Sequence, residues 1–462
     1  MPEVGPVGVL DVGKTNIKLF VFDRKGQILD QIARPNASLP GPPYLHLDSE
    51  GVWHWLLEQL GTMAARWPID SLVTTTHGAS AALIDEAGNL ALPMLDYEFE
   101  PPAAFAATYR AVAPSFAESF APILPGGINL ARHLFWQQQA FSDAFRRARH
   151  ILCYPQYLAW RLCGVAASEV TSIGTHTHLW APNERRWSSL VARQGWTHLF
   201  PPLRKAWEVL GPIRPEIAAK TGLRVDCHVL CGIHDSNAAL LLYLRSLGRG
   251  FALASTGTWM ILLRPDQPLE RLDSARDTVA NVDVDGRPVA TARFMGGREY
   301  QILAGDAAAA PVMAVDVGHL IAKETFALPS FAPAGPFPDR TGRIVGPPPQ
   351  TPSARAALAT LYAALMTDVG FELLEARGRL LIDGGFAANP LYAGLLAALR
   401  PDQPVMVNRA QEGTATGASL LASWHDPDAT VPLVLEPCTP LAIEGLQAYA
   451  AEWRRRAEQK SG

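Results

Sequence analysis

Two stretches of this chain share one layout. Near the start, "GVLDVGKTNIKLF" (residues 8–20) runs from a short apolar segment through a small polar turn. It leaves in a β-branched, aromatic segment with Ile17, Leu19 and Val21 on one face. Near the middle, "GFALASTGTWMILL" (250–263) repeats that order: short strand, small polar turn, strand. Each reads as a β-hairpin that opens an α/β half. A boundary near Leu247 makes the halves similar in size, giving expected domains 1–247 and 248–462.

The first hairpin also fits a different pattern. Gly8, Gly13, Lys14 and Thr15 satisfy G-x-x-x-x-G-K-[ST], the phosphate-binding P-loop. A P-loop needs strand, glycine loop, then helix, because loop N–H groups and the helix N-terminus hold the phosphates together. Here the spacers Val9, Leu10, Asp11 and Val12 are strand sequence, and the residues after Thr15 alternate like a strand. An acidic Asp11 in a phosphate cradle also repels the ligand unless a cation intervenes. The P-loop is therefore set aside and two readings stay open. One is a plain hairpin without a ligand. In the other, the turn Gly13, Lys14, Thr15 and Asn16 meets phosphate, with Lys18 nearby and Asp11 holding water-bound Mg²⁺. Ser255, Thr256, Gly257 and Thr258 then form the second hairpin's counterpart turn. "DGGFAANP" (383–390) places two glycines before a helix, which suits either close approach of a flat group or a tight strand-to-helix turn.

The remaining sequence fills in the halves. "QILDQIA" completes a meander, and "SEGVWHWLLEQLGTMAARW" keeps Val52, Leu56, Leu60 and Met63 at helical spacing. "IDSLVTTTHGASAALIDEAGNLAL" reads strand, strand, turn, strand, and Pro101 to Leu223 alternates Ala-rich helices with loops. "HVLCGI" reads as a buried strand before the helix "DSNAALLLYLRSL", for which Asp235 or Ser236 offers an N-cap. In the second half, Thr351 to Glu375 reads as a long helix, "QPVMVN" as a strand and "EGTATGASLLASW" as a helix with a small-residue face.

Composition removes several classes of partner. A net charge of -4 without a Lys/Arg run argues against nucleic acid and anionic membrane. The N-terminus lacks a secretory pattern, and no stretch reaches ~18 uninterrupted apolar residues. Five sparse cysteines suit a reducing compartment, so the expected location is cytoplasmic. Cys227 and Cys231 lack a second ligand pair at zinc spacing and read as small buried hydrophobes.

Six segments in one order carry a resemblance. They are "LDVGKTNIKLFVFD", "TTTHGASAALIDEAGNLALPMLDYE", "LCYPQYLAWRLCGVAASEVTSIGTHTHLW", "GLRVDCHVLCGIHDSNAA", "ASTGTWMIL" and "LIDGGFAANPL". Together they resemble the FGGY carbohydrate kinase family. The resemblance implies an α/β fold of two ribonuclease-H-like (actin/hexokinase/Hsp70-type) domains around an interdomain cleft. It implies ATP and Mg²⁺ as donor and cofactor, a small sugar as acceptor, and sugar-dependent closure; a homodimer is left open. "GIHDSNAA" with "STGTWMIL" is most similar to the rhamnulokinase and fuculokinase branches, whose substrates are 6-deoxy-ketohexoses.

Residue by residue, the resemblance makes Asp235 the catalytic base, against the alternative of an N-cap alone. Asp11 and Asp235 become the metal carboxylates. Gly13, Lys14, Thr15, Asn16, Lys18, Ser255, Thr256, Gly257 and Thr258 become phosphate ligands. Gly384, Gly385, Phe386 and Asn389 border adenosine. His77, Gly78, Asp96, Asp235 and Arg298 contact the sugar, with Glu299 an alternative to Arg298; His77 also reads as an ordinary structural histidine, and His234 as structural. Two departures stand out. Lys14 replaces the family's usual Thr or Ser, and "LDYEFE" keeps Asp96 of a W-x-D-x-R segment without its Trp or Arg. The competing functions are a kinase for another sugar or polyol, a non-catalytic sugar or nucleotide sensor on the same fold, and an actin-like polymer or chaperone-type ATPase.

Overall fold

The computed structural model describes residues 5–409, 412–426, 431 and 433–459. The chain divides into two compact units. The first is Met1–Ser246 with Ala280–Pro288 and Glu412–Pro432; the second is Leu247–Val279, Val289–Gln411 and Leu433–Gly462.

In the first unit, the alternating segments form the expected meander. β1 (Val7–Val12), β2 (Asn16–Phe22) and β3 (Ile28–Pro35) pair antiparallel in succession. The segment after Thr15 is thus a strand, and the P-loop alternative fails on geometry. β1 also pairs in parallel with β4 (Ser71–Thr76). Leu10, Val12, Ile17 and Leu19 bury one face of this sheet against Val52, Leu56, Leu60 and Met63 of α1 (Ser49–Ala64). That is the apolar stripe read from spacing. Asp48 starts α1 by accepting the Gly51 N–H at 2.9 Å.

"HVLCGI" is not one continuous strand. It splits into β5 (His228–Leu230) and β6 (Ile233–His234), each parallel to β4. Val229 faces Leu72 and Ile233 faces Thr75, so one extra residue is fitted between them. Gly232 takes up this bulge at φ +86, where a Cβ would meet the Thr74 carbonyl oxygen at 2.5 Å. The bulge sets the exit of β6 into α2 (Asp235–Leu247).

The second unit repeats the plan. β7 (Phe251–Thr256) and β8 (Met260–Arg264) form the second hairpin, and β8 pairs antiparallel with β9 (Pro288–Phe294). β7 pairs in parallel with β10 (Arg379–Gly384), which pairs in parallel with β11 (Val405–Asn408). Both sheets therefore run third, second, first, fourth, fifth strand, with matching directions. The hairpin echo in the sequence is the trace of this repeated α/β topology.

α3 (Gly296–Ala304), α4 (Pro352–Leu373) and α5 (Pro390–Leu399) belong to the second unit. α4 is long and apolar enough to cross a membrane, yet 89% of its apolar window is buried inside the protein, as expected of a core helix. All five cysteines are free thiols. Among the described residues no group of three or more His, Cys, Asp or Glu is arranged to hold a metal ion.

Candidate active site

Three parallel strands of the first unit end side by side. β1 leads to Gly13, β4 to His77 and β6 to Asp235. The His77 N–H donates to the Val12 carbonyl at 2.9 Å, continuing the β1–β4 ladder by one residue. Ligands in open α/β sheets sit outside such carboxyl ends.

Asp235 opens α2 and stays partly exposed. Its Oδ1 accepts from the Ser236 N–H at 2.6 Å and the Ser236 hydroxyl at 3.3 Å, and lies 3.1 Å from His234 Nε2. All three contacts use Oδ1, which leaves Oδ2 to meet a ligand. His234 is held from behind. Its Nδ1 lies 2.5 Å from Asn237 Oδ1, while the Asn237 amide N–H groups donate to Asn281 Oδ1 and the Val282 carbonyl. Those two acceptors orient the amide so that its oxygen faces His234 Nδ1 as an acceptor. Gly78 lies against the same ring: a Cβ there would meet His234 Nε2 at 2.7 Å.

Asp11 stands opposite Lys18 in the hairpin register and feels the Asp235 charge. Burial first, then the Asp235 charge, pushes the Asp11 carboxyl up to about 7; Lys18 opposes the rise and Glu412 adds to it. Two carboxylates that repel each other in a recessed site suit a divalent cation. Mg²⁺ accepts one or two protein carboxylates and completes its shell with water and substrate phosphate. Asp11 and Asp235 therefore fit it, even without a third protein ligand.

His77, Tyr97, Asp96 and Lys14 form a second group; His77 follows β4, the strand between β1 and β6. The His77 ring packs edge-on against Tyr97 at 5.4 Å and Tyr154 at 5.5 Å. Its Nδ1 lies 3.1 Å from the Gly78 carbonyl, and its Nε2 is buried without a hydrogen-bond partner among the described residues. Burial lowers the His77 pKa, with the Asp235, Lys14 and Asp96 charges also acting on the ring. A neutral imidazole with a bare acceptor nitrogen suits a hydroxyl donor.

The structure redistributes several assigned residues. Sequence puts Lys14 with the phosphate ligands, but its ammonium pairs with Asp96 and lies 3.3 Å from Ser38 Oγ. Lys18 is held by both Glu412 oxygens at 2.7 Å. Thr15 and Asn16 are exposed on the turn, closed by the Gly13 N–H donating to the Asn16 carbonyl at 2.9 Å. In the second unit, Gly257 and Thr258 are on the surface and Ser255 is partly so. Thr256 is buried instead. Its hydroxyl donates to the Asp383 carbonyl at 2.6 Å and accepts from the Phe386 N–H at 2.9 Å, holding the glycine turn. Gly384 and Gly385 are exposed there, and the Phe386 ring packs on Tyr300 and Tyr392. Asn389 caps α5, accepting from the Leu391 and Tyr392 N–H groups.

Arg298 belongs to the second unit, whereas His77, Gly78, Asp96 and Asp235 belong to the first. It is exposed on the first turn of α3, just after Gly297, which packs on Gly257. Glu299 is buried and accepts from the Phe331 and Ala332 N–H groups and the Tyr362 hydroxyl, which is an anchoring role. Ser38, Tyr97, Glu412 and Asn281 carry no mark in the sequence. Tyr97 and Glu98 directly follow Asp96, the nearest available signal.

The model for the FGGY family of carbohydrate kinases, N-terminal domain, matches residues 7–241; that for the carbohydrate kinase FGGY C-terminal domain matches 248–430. L-fuculokinase of Escherichia coli (strain K12) is 26% identical over 274 residues, 55% of each chain. The chain thus spans about half the length of the curated relatives it matches. A crystal structure of a carbohydrate kinase from Novosphingobium aromaticivorans is 36% identical, with 99% of each chain covered and a TM-score of 0.87. Ligand-bound xylulose kinase from Lactobacillus acidophilus shares the fold at a TM-score of 0.81, with 14% identity over 97% of this chain and 96% of that one.

Proposed function

The chain belongs to the FGGY family of carbohydrate kinases, a phosphotransferase family, and on that premise we propose that it transfers the γ-phosphoryl group of Mg·ATP to a hydroxyl of a small sugar. The observation that carries the proposal is Asp235, with one carboxylate oxygen anchored by Ser236 and the other left for a ligand. Asp11 and His77 both lie within its field.

Phosphoryl transfer rests mainly on positioning and charge stabilisation. A sugar hydroxyl is a weak nucleophile, so Asp235 Oδ2 takes its proton as the new oxygen–phosphorus bond forms and the bond from the γ-phosphorus to the bridging oxygen breaks, releasing ADP. The Ser236 N–H at the start of α2 holds the carboxylate in place. His77 Nε2 orients the sugar, and the sealed Asp96 acts through the Lys14 side chain it holds. Asp11 and Asp235 hold Mg²⁺, which neutralises phosphate oxygens when bound. In the second unit, Ser255, Gly257 and Thr258 serve the phosphates and Gly384, Gly385 and Phe386 the adenosine. The chain's main division falls near 247/248, with Ala280–Pro288 and Glu412–Pro432 joining the first unit.

For the acceptor we favour a 6-deoxy-ketohexose of the L-fuculose or L-rhamnulose type. The motif likeness and the 26% identical L-fuculokinase support it. The test is a coupled ADP assay with Mg·ATP over a panel of ketoses, aldoses and polyols. Sugar-dependent ADP release is expected; its absence for every panel member removes the kinase function.

A further inference from the structure

Lys14 stands in the turn that sequence assigns to phosphate, yet its side chain leaves that turn. Its Nζ bonds Asp96 Oδ2, lies 3.3 Å from Ser38 Oγ and 3.5 Å from Glu98 Oε2, and stands 5.0 Å from the Tyr97 ring centroid. Asp96 is fully buried and takes two further hydrogen bonds, from the Ser38 hydroxyl and from the Glu98 N–H at 2.9 Å. Burial pushes the Asp96 pKa up, but the Lys14 and Ser38 bonds outweigh it and hold it below the usual value. The pair is therefore charged, and fixed from three elements. The Lys14 side chain stays 23% exposed while Asp96 is sealed, so the lysine is the pair's open member.

The charges around Asp235 sort into two groups. Asp11 feels Asp235, Lys18 and Glu412; His77 feels Asp235, Lys14 and Asp96. Lys14 thus stands with the histidine whose Nε2 is buried without a partner among the described residues, and Lys18 stands with the metal carboxylate.

We propose that Lys14 is a specificity residue for the acceptor: its ammonium, fixed by Asp96, donates to a hydroxyl of a neutral polyhydroxylated sugar next to the hydroxyl that His77 accepts. This rests on the kinase reading above. An ammonium has three donors, of which Asp96 and Ser38 engage two. Asp96, Glu98 and Asp235 outnumber the one cation. The site therefore suits a neutral acceptor, whose hydroxyls donate to carboxylates, over an aldonate or a phosphorylated sugar.

The test compares wild type with Lys14→Met, and with a Lys14→Met, Asp96→Asn double variant that leaves no buried charge unpaired if the single variant folds poorly. Sugar KM is read from ADP release, and nucleotide affinity from a fluorescent ADP analogue with Mg²⁺. Loss of one charge-assisted hydrogen bond predicts a rise of about tenfold or more in sugar KM, with nucleotide Kd changed less than about twofold. The wild type is also expected to prefer each neutral sugar to its aldonate. Weakened nucleotide binding with unchanged sugar KM overturns the proposal and leaves the kinase reading standing, as does an aldonate that outperforms its parent sugar. A wild type that releases ADP with no panel member overturns the kinase reading and the acceptor role with it.

Discussion

Replacing Asp11 by Asn is expected to remove turnover and stabilise the empty protein, by an amount that depends on pH. The wild-type carboxyl rises from an ordinary 3.8 to about 7 in the folded state. At about 1.4 kcal/mol per tenfold change in proton affinity, the full penalty on the folded state is about 4 kcal/mol. The sign follows from which state holds the proton. Below pH 3.8 both states hold it and Asp11 contributes nothing. Between 3.8 and 7 the unfolded chain releases it while the folded one retains it, so stability falls as pH rises. Above 7 the penalty is complete. By this reckoning about 1.5 kcal/mol is already present at pH 5, and a further ~3 kcal/mol opens between pH 5 and pH 8. The asparagine amide is neutral and nearly isosteric with the carboxyl, so the gain of Asp11→Asn over wild type should grow by about that ~3 kcal/mol across the interval. Every tryptophan except Trp259 and Trp453 belongs to the first unit, so intrinsic fluorescence in urea reports on the unit that holds Asp11. Added Mg²⁺ at pH 8 should stabilise wild type more than the variant. A gain equal at pH 5 and pH 8, or a variant less stable than wild type at pH 8, refutes the carboxylate repulsion on which the cation assignment rests.

Asp235→Asn should lower turnover by about 10²–10⁴-fold, the range of a lost general base, with Mg·ADP affinity nearly intact; near-normal turnover excludes Asp235 as the base. Gly78→Ala places a Cβ 2.7 Å from His234 Nε2, which is itself 3.1 Å from Asp235 Oδ1. The ring must shift, and kcat should fall by about tenfold or more through misplacement of the base; an unchanged kcat in a folded variant removes His234 as its positioning residue. Gly384→Ala meets the Thr256 carbonyl at 2.1 Å at φ +85, so the second unit should lose about 3 kcal/mol or more. A melting temperature within a degree of wild type would show that the glycine turn yields freely.

Much of the fold was legible because its strands and helices keep clear periods. The meander and α1 bury the faces that alternation and helical spacing selected. What escaped depends on distant contacts. "HVLCGI" is apolar without a period, and its break at Gly232 is set by the Thr74 carbonyl on another strand. Likewise, Ala280–Pro288 and Glu412–Pro432 pack with the first unit although they lie in the second half of the sequence. Asn281 reaches Asn237, and Gly417 approaches the Ala238 carbonyl so closely that a Cβ would stand 1.8 Å from it. The small-residue face of "EGTATGASLLASW" was visible in the letters; the helix it packs on was not.

The site divides along the same line. Asp11 lies on a strand, His77 follows one, and Asp235 follows the bulged β6. Strand ends are positions that local sequence marks and that parallel pairing then brings together. Lys14 is different in kind. A tight turn fixes its backbone but leaves a long side chain free to point either way, and the deciding partner, Asp96, lies 82 residues on. Ser38 and Glu412 are invisible for the same reason: each acts on a lysine far away in the sequence. The glycine-lysine-threonine letters therefore carry less than their pattern promises. They specify a turn, and the carboxylate facing each lysine decides what that lysine serves. Lys18 faces Glu412 in the field of Asp11, whereas Lys14 faces Asp96 beside His77. One hairpin thereby supplies one cation near Asp11 and one near His77, and exchanging the carboxylate partners should exchange which substrate each lysine recognises.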